Sequence, residues 1–232
     1  MKARLFQSFP DSRCAKVRKL LEFKGIDYET IEVDLIRRDE VISLSGQITL
    51  PLLHIPESNT LVANADSIVT HLELAFPNPT LLPPTSRGLH QALNAYLDGA
   101  VERVLFALAW PDLYHYYQQQ GPLQASFFEH LSQRKYGQDP SSLLHAPRAS
   151  QLVAVHDVLA PFDQALENRA FLLGRLGLAD FALYAQLWPL NFTGTNQIPG
   201  ELVRLRSLFD RIDRLSASLD LEATLPGGGS SD

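Results

Sequence analysis

The sequence predicts a small α/β unit followed by an all-helical region, and three observations support that reading. Strand-length and helix-length apolar patterns alternate through the first third of the chain. A break then follows at Pro77-Asn78-Pro79 and Pro83-Pro84, where adjacent prolines oppose helix and favour extended chain. Beyond it strand signals vanish, and apolar residues recur at helical spacing.

Residues 2–7 predict a short strand. Asp11 and Ser12 open a helix whose apolar stripe is Cys14, Val17, Leu20 and Leu21. Lys24-Gly25 ends it, because glycine tolerates the left-handed conformation that a helix C-terminus requires. Ile31, Val33 and Leu35 alternate with Glu32 and Asp34, the period of a half-exposed strand. Residues 50–55 and 61–63 predict a strand pair joined through the turn-prone Pro56-Glu57-Ser58-Asn59. A helix from about Asp66 to Phe76 closes the unit, giving the order βαβαββα.

In the second region Leu202, Leu205, Leu208, Phe209, Ile212 and Leu215 form one helical stripe. Residues 121–147 are polar and carry Gly137, Pro140 and Ser141-Ser142, which predicts an irregular loop. Residues 226–232, Gly- and Ser-rich, predict a disordered tail. The expected division is a first domain at 1–77, a linker at 78–87, a helical domain at 88–225 and the tail.

Composition narrows the function classes. A chain of 232 residues with 45% hydrophobic and 20% charged residues can bury a substantial core. A net charge of −6 argues against nucleic acid or an anionic membrane as the main partner. No apolar run approaches the roughly 20 residues that span a bilayer, and the chain start lacks the apolar stretch of a signal peptide. The lone Cys14 cannot form an internal disulfide, and the seven histidines show no metal-binding spacing. A cytoplasmic protein without a metal site is expected.

Three stretches carry a family resemblance: Phe9-Pro10-Asp11-Ser12-Arg13-Cys14-Ala15-Lys16-Val17-Arg18, Thr49-Leu50-Pro51-Leu52-Leu53, and Val62-Ala63-Asn64-Ala65-Asp66-Ser67-Ile68-Val69-Thr70-His71-Leu72. Together they resemble the thioredoxin-like half of the glutathione transferase family. In the second region Leu178-Ala179-Asp180-Phe181 looks like the family's helix-capping motif, with Asp180 matching the acid of the capping box and Gly177 standing where the family has Ser or Thr. The resemblance implies a thioredoxin-like α/β domain followed by an all-α bundle, with glutathione as co-substrate.

The resemblance also assigns roles. Leu50-Pro51 matches a cis-proline whose preceding residue offers its backbone N–H and C=O to glutathione, the alternative being an ordinary proline at a strand start. Asn64 and Ala65 match an acid or Gln followed by Ser, the pair that holds the γ-glutamyl end. Ala65 lacks the hydroxyl, which leaves backbone N–H groups for a carboxylate. Using Asp66 and Ser67 instead would need a two-residue deletion in the helix. Asp98 matches an acid that some classes present across a dimer interface, the alternative being a solvated helix face.

The activating residue departs from the family pattern. Gln7 stands at the Tyr-type position and Asp11 at the first position of the Ser- or Cys-type motif. A carboxylate beside a thiolate raises the thiol pKa, so Asp11 reads better as a helix N-cap. Ser12, in the first helical turn, is the better donor to a bound sulfur. Cys14 reads either as a buried thiol on the apolar stripe or as a reactive one activated by the helix start and Arg13, Lys16 and Arg18. Trp110, Tyr114, Tyr116 and Tyr117 lie where the family walls its site for apolar co-substrates, and most are expected in the core.

Two readings follow. The first is a homodimeric enzyme that conjugates glutathione to a small hydrophobic electrophile, with Ser12, Asp11 and Cys14 at the catalytic helix start. The second is a scaffold that keeps the fold without catalysis, which Gln7, Asp11 and Ala65 favour. Thiol–disulfide exchange through Cys14 is a third, and it requires an exposed thiol.

Overall fold

The computed structural model describes residues 2–137, 139–195 and 197–215. The tail at 226–232 lies outside the described residues. Strands β1 (Ala3–Gln7), β2 (Tyr28–Glu32), β3 (Leu52–Ile55) and β4 (Thr60–Ala63) form one sheet in the order β2-β1-β3-β4. β2 runs parallel to β1, whereas β3 is antiparallel to both β1 and β4. Helices α1 (Ser12–Phe23), α2 (Asp39–Ser45) and α3 (Ala65–Ala75) complete the βαβαββα unit. This is the element order that the alternation of patterns predicted, in the thioredoxin-like arrangement that the resemblance implied.

Local chemistry sets the boundaries. Cys14, Val17, Leu20 and Leu21 are all fully buried along one face of α1. Gly25, at φ 68°, makes the left-handed turn after that helix. β2 stops at Glu32 rather than running on to Leu35, because Asp34 Oδ1 accepts from Ile36 and Arg37 N–H, both at 2.8 Å, and turns the chain. The peptide between Leu50 and Pro51 is cis, as the resemblance implied.

The second region contains α4 (Arg87–Tyr96), a wider π-helical turn (Leu97–Val101), α5 (Glu102–Gln120), α6 (Pro122–Tyr136), α7 (Pro140–His145), α8 (Arg148–Ala165), α9 (Leu178–Leu187) and α10 (Val203–Asp213). Where an irregular loop was expected, α6 and α7 therefore account for residues 122–136 and 140–145. The residues read as loop signals punctuate two helices instead. Pro122 and Pro140 begin α6 and α7, where a missing N–H costs nothing, and Gly137 caps α6 at φ 67°. Ala125, Phe128 and Ser132 give α6 a buried face that the polar composition conceals.

One core runs through both regions, from Leu5 and Val17 through Leu97 and Leu105 to Phe181 and Leu205. Buried Lys24 straps the intervening segment to α1 and α3. Its ammonium donates to Glu73 at 2.6 Å, Phe76 O at 2.6 Å and Pro79 O at 2.7 Å.

Every residue of α9 is buried, so its N-terminus must satisfy its N–H groups without water. Asp180 accepts from Leu172 N at 2.8 Å and Gly177 N at 3.0 Å, which is half of a capping box. Gly177 supplies no cap side chain. His90 of α4 substitutes for it, its Nδ1 accepting from Ala179 N at 3.2 Å. A Cβ on residue 177 would lie 2.5 Å from the His90 ring, so the imidazole fills the space that a serine or threonine cap would need.

Candidate functional site

Two adjoining cavities open between α1, the loop before β3, and helices α5 and α6. The larger, about 330 Å³, is lined by Ser8, Asp11, Arg13, Arg38 and Leu50 on one side and by the α5–α6 aromatic residues on the other. The smaller, about 90 Å³, continues past Ser12 to Leu105, Leu113, Tyr117, Phe128 and Tyr136. Asp11, Phe106, Tyr117, Phe128, Lys135 and Tyr136 border both.

The loop from β1 to α1 is fixed from several directions. Gln7, which the resemblance matches to the Tyr-type position, is buried and donates to Glu32 at 3.2 Å while accepting from Arg18 at 2.6 Å. Phe9 N–H donates to the other Glu32 oxygen at 2.7 Å. On the second region's side, Trp188 Nε1 donates to Phe9 O at 2.9 Å, and the Arg18 guanidinium lies over both the Phe9 and Trp188 rings.

Asp11 is the N-cap of α1. Its Oδ1 accepts from Arg13 N at 2.9 Å and Cys14 N at 3.1 Å, which satisfies two N–H groups of the first turn. Ser12 is the first helical residue, and its side chain borders the smaller cavity with no hydrogen-bond partner among the described residues. Cys14 sits behind this surface, fully buried, with its Sγ accepting from Ser8 N at 3.4 Å. Burial, reinforced by the Asp11 carboxylate, pushes its thiol well above the ordinary range. That geometry matches the buried thiol and not the exposed one that disulfide exchange requires.

Leu50 borders the larger cavity, and its N–H and C=O have no partner among the described residues. Arg38 holds this loop in place, donating to Leu35 O at 3.2 Å and Ile48 O at 2.6 Å. The start of α3 is one hydrogen bond away, since Asn64 N donates to Pro51 O at 2.9 Å. Asn64 adopts φ 63° and caps α3 through its Oδ1, which accepts from Ser67 N at 2.9 Å. Its amide oxygen is thus used within the helix, and the N–H groups of Ala65 and Asp66 are left at the helix start.

Asp98 does not lie on a solvated face. It pairs with the ammonium of fully buried Lys16 and accepts from Gln186 at 2.8 Å, so both oxygens are engaged within the chain. Lys16 also donates to Asn94 at 2.8 Å, and Asn94 donates to Asp66 at 3.4 Å. This polar chain links the π-helical turn to the start of α3.

Several cleft residues escaped the sequence reading. Glu102 accepts from Lys135 at 2.7 Å and Tyr136 at 2.9 Å, with Arg13 at 3.7 Å. Ser8 Oγ and Tyr117 Oη lie 3.0 Å apart across the two regions. Tyr117 belongs to the aromatic group noted in the sequence, but periodicity cannot say which member faces a cleft. Trp110 is fully buried and stacks on Tyr114, so Tyr117 is the member that borders both cavities. Lys135 and Tyr136 end a helix that composition disguised as loop.

Among the described residues no group of His, Cys, Asp and Glu could hold a metal, and no helix is long and apolar enough to cross a membrane.

Comparison with known proteins agrees with this geometry. Residues 6–80 match the family described as glutathione S-transferase, N-terminal domain. The chain is 31% identical over 107 residues to glutathione S-transferase Z1 of Arabidopsis thaliana, covering 42% of this chain and 47% of that protein, a little under half its length. It is 27% identical over 194 residues to maleylacetoacetate isomerase of Pseudomonas aeruginosa, covering 80% of each. A glutathione S-transferase of Ceriporiopsis subvermispora, solved in complex with glutathione, shares the fold at a TM-score of 0.74 and 18% identity, over 92% of this chain and 98% of that one.

Proposed function

We propose that this protein binds glutathione and conjugates it to a small apolar electrophile, a reading that the match of residues 6–80 to the glutathione S-transferase N-terminal domain family supports. The supporting observation is the larger cavity, which brings the start of α1 and the unpartnered backbone of Leu50 to face the aromatic wall of α5 and α6. Glutathione lies along Leu50-Pro51 with its γ-glutamyl end toward the α3 start, where the Ala65 and Asp66 N–H groups and the helix dipole favour a carboxylate. Its sulfur faces Ser12, and the electrophile occupies the smaller cavity among Leu105, Phe106, Leu113 and Phe128. Leu50 and Pro51 contribute backbone and shape, so they do not depend on the identity of residue 50.

In the reaction the glutathione thiol ionises and its proton passes to solvent. The thiolate then forms a sulfur–carbon bond while the leaving group departs with its electron pair. Ser12 donates a hydrogen bond to the thiolate, which is worth more when the acceptor is charged. Cys14, buried and held protonated, takes no part. The protein acts as a cytosolic homodimer in this reading, a state that sedimentation of the purified chain would test.

Titration with reduced glutathione by calorimetry tests the binding. Heat with an affinity between micromolar and low millimolar is expected. No heat and no rise in melting temperature at about ten millimolar, where even millimolar binding stabilises a fold, would sink it. Ser12→Ala should then lower turnover of an activated aryl chloride by at least about tenfold, the worth of a hydrogen bond to a charged group; unchanged turnover would remove Ser12 from the role.

A scaffold role is the second reading. It is favoured by one observation: Gln7 is locked between Arg18 and Glu32, and Asp11 is occupied as a cap, so neither inherited position supplies a thiol activator.

A further inference from the structure

The cleft contains a hydroxyl hydrogen with no acceptor among the described residues. Ser8 Oγ and Tyr117 Oη are within hydrogen-bond distance of each other, and neither has another partner among the described residues. Two hydroxyls have two hydrogens, and the bond between them uses one. Whichever group donates, the other keeps a free O–H. Both side chains are buried, Ser8 at 8% and Tyr117 at 6% exposed, yet both border the larger cavity beside Asp11 and Leu50.

A buried donor without an acceptor is unfavourable, and an anion satisfies it best. The place where an anion is expected is the same one. A thiolate beside the Asp11 carboxylate meets like-charge repulsion, and one donor at Ser12 opposes that only in part. Burial raises the Tyr117 hydroxyl well above its ordinary range, so it stays protonated and serves as a donor, not a base.

We propose that the Ser8–Tyr117 pair is the second hydrogen-bond donor to the glutathione thiolate, acting where Gln7 and Asp11 cannot. This rests on the glutathione reading above. The pair only donates; the thiol proton leaves to solvent, and no covalent bond forms to either residue. Because Ser8 belongs to the first region and Tyr117 to α5, the sulfur site is complete only where the two regions pack together.

The test is an ultraviolet titration of the thiolate of glutathione bound to the parent and to the Ser8→Ala/Tyr117→Phe double variant. The double variant is expected to raise the bound thiol pKa by about one unit, roughly tenfold less thiolate at a given pH. Calorimetric affinity at acidic pH, where the thiol is neutral in both proteins, should change less than about threefold. An unmoved thiol pKa overturns the proposal. Tyr117→Phe alone keeps the ring packed on Phe128 and Tyr116; if the double variant does not fold, this single variant must raise the thiol pKa, and no shift overturns the proposal equally. A parent protein that gives no heat with glutathione removes the binding reading and the donor pair together, whereas binding with an unmoved thiol pKa removes the donor pair alone.

Discussion

The two helix starts beside the cleft, α1 and α3, differ in what they ask of their side chains. At α3 the proposed recognition uses peptide N–H groups at Ala65 and Asp66, which any sequence that forms the helix supplies. At α1 the proposed chemistry needs particular side chains, and there Gln7 is held between Arg18 and Glu32 while Asp11 caps the helix. Function built from backbone survives substitution, whereas function built from side chains must be supplied again from elsewhere in the fold. Ser8 and Tyr117 are where this fold offers it.

The sharpest way to break that contrast is through Cys14. If the α1 start were an active thiol site, Cys14 would label quickly with a thiol reagent. Full burial and a raised pKa instead predict labelling at least about a thousandfold slower in the native protein than in denaturant, because the thiol reacts only after the structure opens. Rapid native labelling would return the exchange reading.

A smaller effect sharpens the α3 side. Ala65→Ser restores a hydroxyl beside the expected γ-glutamyl carboxylate, and calorimetry should show glutathione bound about tenfold more tightly. An unchanged affinity would mean that the backbone donors do not meet the ligand there.

Asp11→Ala removes the α1 cap and leaves Arg13 and Cys14 N–H without their acceptor, which should cost about 1 kcal/mol in a denaturant melt. No loss of stability would return Asp11 to the list of residues kept for chemistry.

The third start, α9, extends the comparison to a buried site and gives the gentlest effect. Burial pushes the Asp180 carboxyl up to about 7, against the opposing pull of its N–H donors, and lowers His90 below its usual value. The Asp180 contribution is therefore full below its unfolded value near 4 and is lost as pH rises through about 7. The His90 contribution is present above about 6.5 and is lost as pH falls through its lowered value. Between about pH 4 and 7 the two act in opposite senses, so the carboxyl is read against Asp180→Asn. Relative to that variant the parent should lose melting temperature as pH rises through this window, and a difference that does not vary with pH would show that the carboxyl is not held as this helix start holds it.

How legible all this was depended on the range of the interaction. Strand and helix order in the first region, the Asp11 cap and the stripe of α1 follow from residues a few positions apart, so they could be read directly. Residues 121–147 were misread because Gly137, Pro140 and Ser141-Ser142 serve helix ends as well as loops, and only packing of Ala125, Phe128 and Ser132 separates the two. The engagement of Asp98 was hidden for a related reason. Lys16 and Gln186 are far from it in sequence, and no spacing rule joins them.

The sequence by itself determined the βαβαββα unit and the helical second region, because each rests on local periodicity, and only through the family resemblance did it mark Gln7, Asp11 and Ala65 as departures. Only the tertiary structure decided that His90 completes the α9 cap, that Tyr117 and not Trp110 faces the cleft, and that Ser8 meets Tyr117 across the two regions. The His90 and Ser8–Tyr117 pairings join residues 89 and 109 positions apart, and their geometry exists only once a shared core has brought the helices together.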